Sequence, residues 1–304
     1  AETLGKEAAV FVSSGTMGNL ISVLSHCGRG DEMILGDYAH IFRAEQGGGA
    51  ALGGVHPHTV RNQPDGTLDL DDVAAAIRAY DPHNPITRLI CLENTQGSMG
   101  GIPITAEYTA QVGEIARQHN LKLHIDGARI FNAAAALDAN DIPNMARELV
   151  KDADSLSFCL SKGLCAPVGS VLVGSREFIN EARRTRKMLG GGMRQAGIIA
   201  AAGVYALEHN VERLAEDHEN ARYLARGLAE LPMVEVNPDE IDSNIVIFHV
   251  NGDFLGFMRA LKQAGVLAGS PRHGDIRMVT HYGIERADID DALERARHAA
   301  KATA

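Results

Sequence analysis

Two charged side chains carry the chemistry most easily read in this sequence. The stretch Asp154 to Gly174 holds an apolar, strand-like run that ends at Ser161-Lys162-Gly163, then a Gly/Pro-bearing turn and a second apolar run. Lys162 is therefore a lone cation near the end of a strand that reads as buried. A lysine there reaches solvent, pairs with an acid, or lowers its pKa. The third outcome suits an amine that forms a Schiff base with a carbonyl cofactor, while an ion pair is the plainer reading of the lysine alone. Upstream, Leu121-Lys122-Leu123-His124-Ile125 runs into Asp126-Gly127-Ala128-Arg129. Asp126 can cap a turn or pair with Arg129. It can also face a pyridinium nitrogen and keep it protonated, so that the ring withdraws electrons from a substrate carbon. Either motif alone is weak. An acid and a lysine closing two successive apolar strands point together to pyridoxal 5'-phosphate.

Other polar residues fall where they can complete such a site. Ser13-Ser14-Gly15-Thr16 lies between a strand and a helix. Amides at a helix start lack partners and face the positive end of the dipole, so a phosphate fits there, with Ser14 or Thr16 assisting and Gly15 letting the backbone approach. A plain capping turn is the alternative. The segment is not a Walker motif, because G-x-x-x-x-G-K is missing. His40 follows a strand end; it can stack on a ring and act as a base, or be an ordinary loop histidine. Glu93-Asn94-Thr95-Gln96 follows an apolar run, and polar groups at that depth need partners. Arg194 is expected to open a helix after three glycines and to meet a phosphate or another subunit. Arg277 stands on a strand-like run, where a guanidinium can grip a carboxylate through two parallel bonds. For each arginine a surface ion pair is the alternative. His56 and His58 alternate along one strand face, but no carboxylate or cysteine spacing supports a metal, so they are taken as structural and no metal is expected.

The elements that must position these groups alternate. Apolar runs over 8–12, 32–35, 55–60, 88–93, 121–125, 153–160 and 168–173 read as strands. Helical stretches are expected over 16–27, from Thr67 or Asp69 as cap to about Ala79, over 105–120 and over 176–187. Gln46 to Gly54 is glycine-rich and is expected to be a tight turn or a loop against a ligand. The alternation indicates an α/β domain with a largely parallel sheet, with binding groups beyond the carboxyl ends of the strands. Ser14, Glu93, Asp126 and Lys162 all fall there. A long helical region over 194–231, with a joint at Asn210, leads to strands over 234–236 and 244–250, a helix over 254–264, a strand over 277–280 and a helix over 289–299. This reads as a smaller α+β domain, 210–304, after a cofactor-binding domain, 1–209.

Composition excludes several classes. The 304 residues carry a formal charge of −10 without a basic block, so nucleic acid is not expected as a partner. Apolar and charged contents of 45% and 22% are ordinary globular values. No apolar run approaches about 18 residues, so no membrane span is expected. Cys27, Cys91, Cys159 and Cys165 lack C-x-x-C spacing and read as free thiols in a reducing compartment, the cytoplasm. The chain opens on Ala1 with a segment that reads as domain interior, and an N-terminal segment is expected to precede it.

The motifs together resemble the low-specificity and L-allo-threonine aldolases of the aspartate aminotransferase superfamily, fold type I. The resemblance runs through S-S-G-T-M-G-N (13–19), H-I-F-R-A-E-Q-G-G (40–48), L-E-N-T (92–95), H-I-D-G-A-R (124–129), S-K-G-L-C-A-P-V-G-S-V-L (161–172), G-G-G-M-R-Q (190–195) and R-M-V-T-H (277–281). It implies a retro-aldol cleavage of L-β-hydroxy-α-amino acids to glycine and an aldehyde. Lys162 would hold the cofactor, Asp126 pair with the ring nitrogen, His40 stack over the ring, and Gly15 and Thr16 take the phosphate. Arg129 would lie beside the ring and help hold the substrate carboxylate, which Arg277 would grip. Lys187 and Arg194 would lie near the pocket, partly across a subunit boundary in a homodimer or homotetramer, with Ser14 and Glu93 as lining. Two positions depart from the family: Gln96 stands where histidine is usual after E-N-T, and Cys165 where glycine is usual. Glutamine cannot act as a base near pH 7. An amino acid racemase or a β-eliminating lyase on the same scaffold is the alternative.

Overall fold

A seven-stranded sheet organises the first part of the chain in a computed structural model that describes residues 1–303. Its strands are β1 (Ala8–Val12), β2 (Asp31–Gly36), β3 (His56–Val60), β4 (Ile86–Glu93), β5 (Lys122–Asp126), β6 (Ser155–Cys159) and β7 (Ser170–Gly174), in spatial order β1-β7-β6-β5-β4-β2-β3. Only β7 runs against its neighbours, which places the carboxyl ends of the other six on one edge. The central strands are apolar throughout because both faces are covered: Leu89, Ile90, Leu123, Ile125 and Leu156 are buried completely.

Helices connect the strands: α1 (Gly15–His26), α2 (His40–Arg43), α3 (Gly48–Gly53), α4 (Leu70–Ala76), α5 (Ala106–Gln118), α6 (Ile130–Leu137), α7 (Ile142–Val150), α8 (Arg176–Met188) and α9 (Gly197–His209). Ser14, Asp69, Thr105, Asp141 and Ser175 cap α1, α4, α5, α7 and α8, each accepting an amide of the first turn. Asp69, not Thr67, is thus the cap, and α4 ends at Ala76, short of the expected Ala79.

Two further expectations are corrected. The glycine-rich stretch 46–54 is not a loop but holds helix α3. Gly47 and Gly54 bracket it at φ 62° and 66°, the left-handed conformations that end helices cheaply. Inside it, Gly49 and Gly53 share one face, where a Cβ would come within 3.2 Å of Met33 and 2.5 Å of Leu24. Arg194 does not open a helix; it lies in an exposed bend, and α9 begins at Gly197. α6 and α7 occupy a stretch that the sequence reading leaves unassigned. α6 is I-F-N-A-A-A-A-L with six of its eight residues buried, so it shows no polar face to betray a period.

The chain divides into two units, Ala1–Glu212 and Arg213–Ala304. The second holds α10 (Leu214–Ala229), β8 (Val234–Glu235), β9 (Ile245–Val250), α11 (Phe254–Gln263), β10 (Gly269–Arg272), β11 (Asp275–Val279) and α12 (Arg286–Thr303). Its antiparallel sheet has the order β10-β11-β9-β8, and Leu224, Phe248, Phe257, Ile276 and Leu293 belong to one core. Strand β10, G-S-P-R, has no apolar residue to announce it and is exposed throughout. No helix among the described residues is long and apolar enough to cross a membrane.

Candidate active site

The carboxyl edge of the sheet gathers the polar groups of the first unit. Asp126 ends β5 and is 3% exposed. Its Oδ1 accepts the Ala128 N–H at 3.1 Å, and its Oδ2 accepts Asn19 Nδ2 at 2.8 Å. Both donors are amides, and Arg129 and His40 stand close enough to feel its charge. A buried carboxylate whose hydrogen-bond donors are neutral amides fits a cationic ring nitrogen. Next to β5, β6 ends at Cys159, and the β6–β7 connection carries Lys162, half-buried. Backbone and side-chain bonds hold this connection. Leu160 N–H donates to Gly169 O at 3.0 Å, Ala166 N–H to Leu160 O at 3.0 Å, Cys165 N–H to Lys162 O at 2.8 Å, and Asn210 Nδ2 to Leu164 O at 2.7 Å.

Helix α1 starts on the same edge. Ser14 Oγ accepts the Met17 N–H and Ser14 O the Gly18 N–H, so the Gly15 and Thr16 amides have no partner within the helix. The helix lies tight on β6. A Cβ on Gly15 would be 3.0 Å from Cys159 Sγ, and one on Gly18 would be 2.3 Å from Ser157 Oγ. Gly191 packs against Met17 of α1, and Gly192 against the exposed Lys187. Arg186, whose Nη1 donates to Phe11 O at 2.7 Å, ties the end of α8 to β1.

His40 begins α2. Its Nδ1 meets Glu45 Oε1 at 2.9 Å, and its N–H donates to Glu93 Oε2 at 2.8 Å. The Glu45 bond holds the His40 imidazole above its usual pKa, while burial raises Glu45. His40, Glu45 and Asp126 present ligand atoms within 4.8 Å of one another. Glu93 Oε1 accepts the Gly97 N–H at 2.9 Å, and burial together with the charge of Asp126 pushes Glu93 up to about 7. Arg129 follows β5; burial lowers its guanidinium and Glu93 opposes that shift. Arg129 Nη1 and Glu93 Oε1 converge on Gly97, each 3.3 Å from where a Cβ would stand.

Gln96 is 1% exposed and turned inward. Its Nε2 donates to Glu93 Oε2 at 3.2 Å and its Oε1 accepts the Ser98 N–H at 2.9 Å. Cys165 has φ 63°, a backbone conformation that favours glycine, the residue the resemblance leads one to expect there. Arg277 belongs to the second unit, on β11 opposite Ile247. His56 and His58 both meet the buried Glu32, at 3.1 and 3.3 Å, and Arg78 and Thr87 share that carboxylate. Asn19, Glu45 and His124 are the site's unforeseen members. One signal was available: His124 is two residues before Asp126 on a strand, hence on the same face.

The pieces fit pyridoxal 5'-phosphate. A glycine-lined helix start offers amides without helical partners, a buried carboxylate is held by neutral amide donors, and an amine stands on the neighbouring connection.

Comparison with known proteins gives the same direction. Residues 1–251 match the beta-eliminating lyase family. The chain is 49% identical over 302 residues to low-specificity L-threonine aldolase 1 of Arabidopsis thaliana, covering 96% of this chain and 82% of that protein. It is 44% identical over 290 residues to the low specificity L-threonine aldolase of Escherichia coli, covering 95% of this chain and 83% of the relative. Among solved structures, the threonine aldolase of Leishmania major superposes with a TM-score of 0.78 at 20% identity, covering 98% of this chain and 84% of that one, a likeness of fold.

Proposed function

This chain belongs to the beta-eliminating lyase family and, within it, to the low-specificity L-threonine aldolases, and from that premise we propose that it is a pyridoxal 5'-phosphate-dependent aldehyde-lyase. It cleaves L-threonine, L-allo-threonine and related L-β-hydroxy-α-amino acids to glycine and an aldehyde. The observation that carries the reading is the pair at the ends of neighbouring strands: Asp126, buried and held by neutral amide donors, and Lys162 on the next connection. When bound, the cofactor supplies an electron-withdrawing ring that accepts the electron pair of the breaking Cα–Cβ bond.

In this proposal Lys162 anchors the cofactor's carbonyl carbon and Asp126 holds its ring nitrogen protonated. Gly15 and Thr16 amides take the phosphate, with Ser14 and Lys187 in support. His40 would face the ring; its Nδ1 is committed to Glu45, so its Nε2 would be left to take the proton from the β-hydroxyl. Gln96 cannot replace it, having no basic atom and being bonded to Glu93 and Ser98. Arg129 holds the substrate carboxylate, and Glu93, whose charge favours the charged form of Arg129, lines the pocket. Arg194 reaches a neighbouring subunit's site.

That last role requires a homo-oligomer, a dimer or tetramer. Its support is α9, which is apolar on most sides yet buries only Gly203 and Ala206, leaving Ile198 87% and Tyr205 61% exposed. Four free thiols suit a reducing compartment, and we place the enzyme in the cytoplasm.

The test is glycine release, with cofactor present, from L-threonine, L-allo-threonine and their D-forms, with L-alanine racemisation and pyruvate formation from L-serine as controls. Glycine and acetaldehyde from the L-forms, lost in Lys162→Ala, are expected. Racemisation or pyruvate without glycine overturns the proposal.

A further inference from the structure

Three carboxylates, those of Asp126, Glu45 and Glu93, are drawn together at the carboxyl edge, and something must keep the first two apart and aimed. Asn19 stands between them. Its Nδ2 is 2.8 Å from Asp126 Oδ2 and 2.8 Å from Glu45 Oε1, one N–H for each. The opposite assignment would set the amide oxygen against two carboxylates, so the donor side is fixed by charge.

The oxygen of Asn19 is fixed in turn. His124 Nε2 lies 3.2 Å from Asn19 Oδ1 and must donate to it. Its Nδ1 lies 2.9 Å from Ser155 Oγ, which is also 2.8 Å from His26 Nε2. Burial holds His124 down to about 3 and His26 to about 4, so both are neutral and each ring has one donor and one acceptor. Only one direction then makes all of these bonds together. His26 Nε2–H donates to Ser155, the Ser155 hydroxyl to His124 Nδ1, His124 Nε2–H to Asn19, and Asn19 to both carboxylates. At the far end the His26 ring stacks on Phe178 at 4.5 Å, which locks its orientation. His124, Ser155 and Asn19 are all nearly inaccessible, at 0%, 0% and 1%.

We propose that Asn19 is the positioning residue of this site: oriented through His124, it sets Asp126 for the cofactor's ring nitrogen and Glu45 for His40. The inference rests on the proposed cofactor chemistry and adds to it that Asp126 is aimed by a directional chain through the sheet rather than by its own strand alone. Losing a hydrogen bond to a charged group corresponds to about a tenfold change in equilibrium or more.

The test is cofactor affinity, by absorbance titration with pyridoxal 5'-phosphate, and the absorption maximum of the holoenzyme, for the wild type and four variants. Asn19→Leu and Asn19→Asp remove the donors; the second keeps the shape should the first fail to fold. His124→Leu removes the orienting N–H. His124→Gln restores a donor near the place of Nε2. Expected are a Kd about tenfold or more higher and a displaced absorption maximum in both Asn19 variants and in His124→Leu, with return towards the wild type in His124→Gln. Wild-type affinity and spectrum in folded Asn19→Asp and His124→Leu overturn the proposal. So does a His124→Gln enzyme as impaired as His124→Leu. If the wild type itself binds no cofactor, the functional reading of the site fails first, and this inference with it.

Discussion

At His40 one ring nitrogen is committed to Glu45, and the bond raises the imidazole's pKa by stabilising its charged form. A base must be unprotonated to work, so activity falls as pH drops through the His40 pKa. In Glu45→Gln the negative charge is gone, His40 releases its proton at lower pH, and the acid limb of kcat/KM moves to lower pH. The pH–rate profile checks this; a limb that stays in place or moves up contradicts it. His40→Asn should lower kcat by about 100-fold or more, the usual worth of a general base. Cys165 gives a second residue-level prediction. A side chain at φ 63° costs roughly 1–2 kcal/mol, partly offset by the entropy a glycine gives the unfolded chain. Cys165→Gly should therefore stabilise the protein by about 0.5–1 kcal/mol in denaturant unfolding, and a loss of stability would contradict the strain. Lys162 and Asp126 were legible in the sequence because each closes an apolar strand, where a charge is conspicuous. Asn19 and Glu45 were not, because their meaning lies in the hydrogen bonds they make, and those join residues far apart in the chain.

Among the elements, α1 carries the most. It presents the free amides of its first turn, the Asn19 side chain from its second, and His26 from its last, and it does so because its inward face is nearly flat. Gly15 and Gly18 meet Cys159 and Ser157 of β6, whose small side chains allow the close approach. A methyl at Gly18 has no room, with Ser157 Oγ 2.3 Å away. Gly18→Ala should cost about 1–3 kcal/mol despite the better helix propensity of alanine, as measured by urea unfolding. Stability equal to the wild type would show that the helix can lift away cheaply. The strands of the large sheet and the caps of its helices were legible from apolar runs and from Ser, Thr and Asp at their starts. Three elements were not, each for its own reason: α3 is built from glycines that normally signal a loop, α6 is buried on all sides, and β10 has no apolar residue.

For the whole molecule, the parallel run β6-β5-β4-β2-β3, with β1 aligned to it across β7, sets six carboxyl ends on one edge, and the candidate site follows from that topology. The class of fold was legible because strands and helices alternate; the single reversed strand, β7, was not, since an apolar run has no direction. The surface adds a prediction. Exposed apolar side chains on α9 are stabilised by burial at about 25 cal/mol per Å². Replacing Ile198 and Tyr205 together by aspartate should reduce the mass found in sedimentation to that of a smaller assembly. If the mass is unchanged, the subunits join elsewhere.

The central claim is that one amine, on the connection after β6, carries the cofactor. Borohydride trapping of the cofactor-loaded enzyme, followed by mass spectrometry of its peptides, measures this directly. A phosphopyridoxyl group is expected on Lys162 and none in Lys162→Ala. A label on a different lysine, or no label on an enzyme that nonetheless releases glycine from L-threonine, would contradict it.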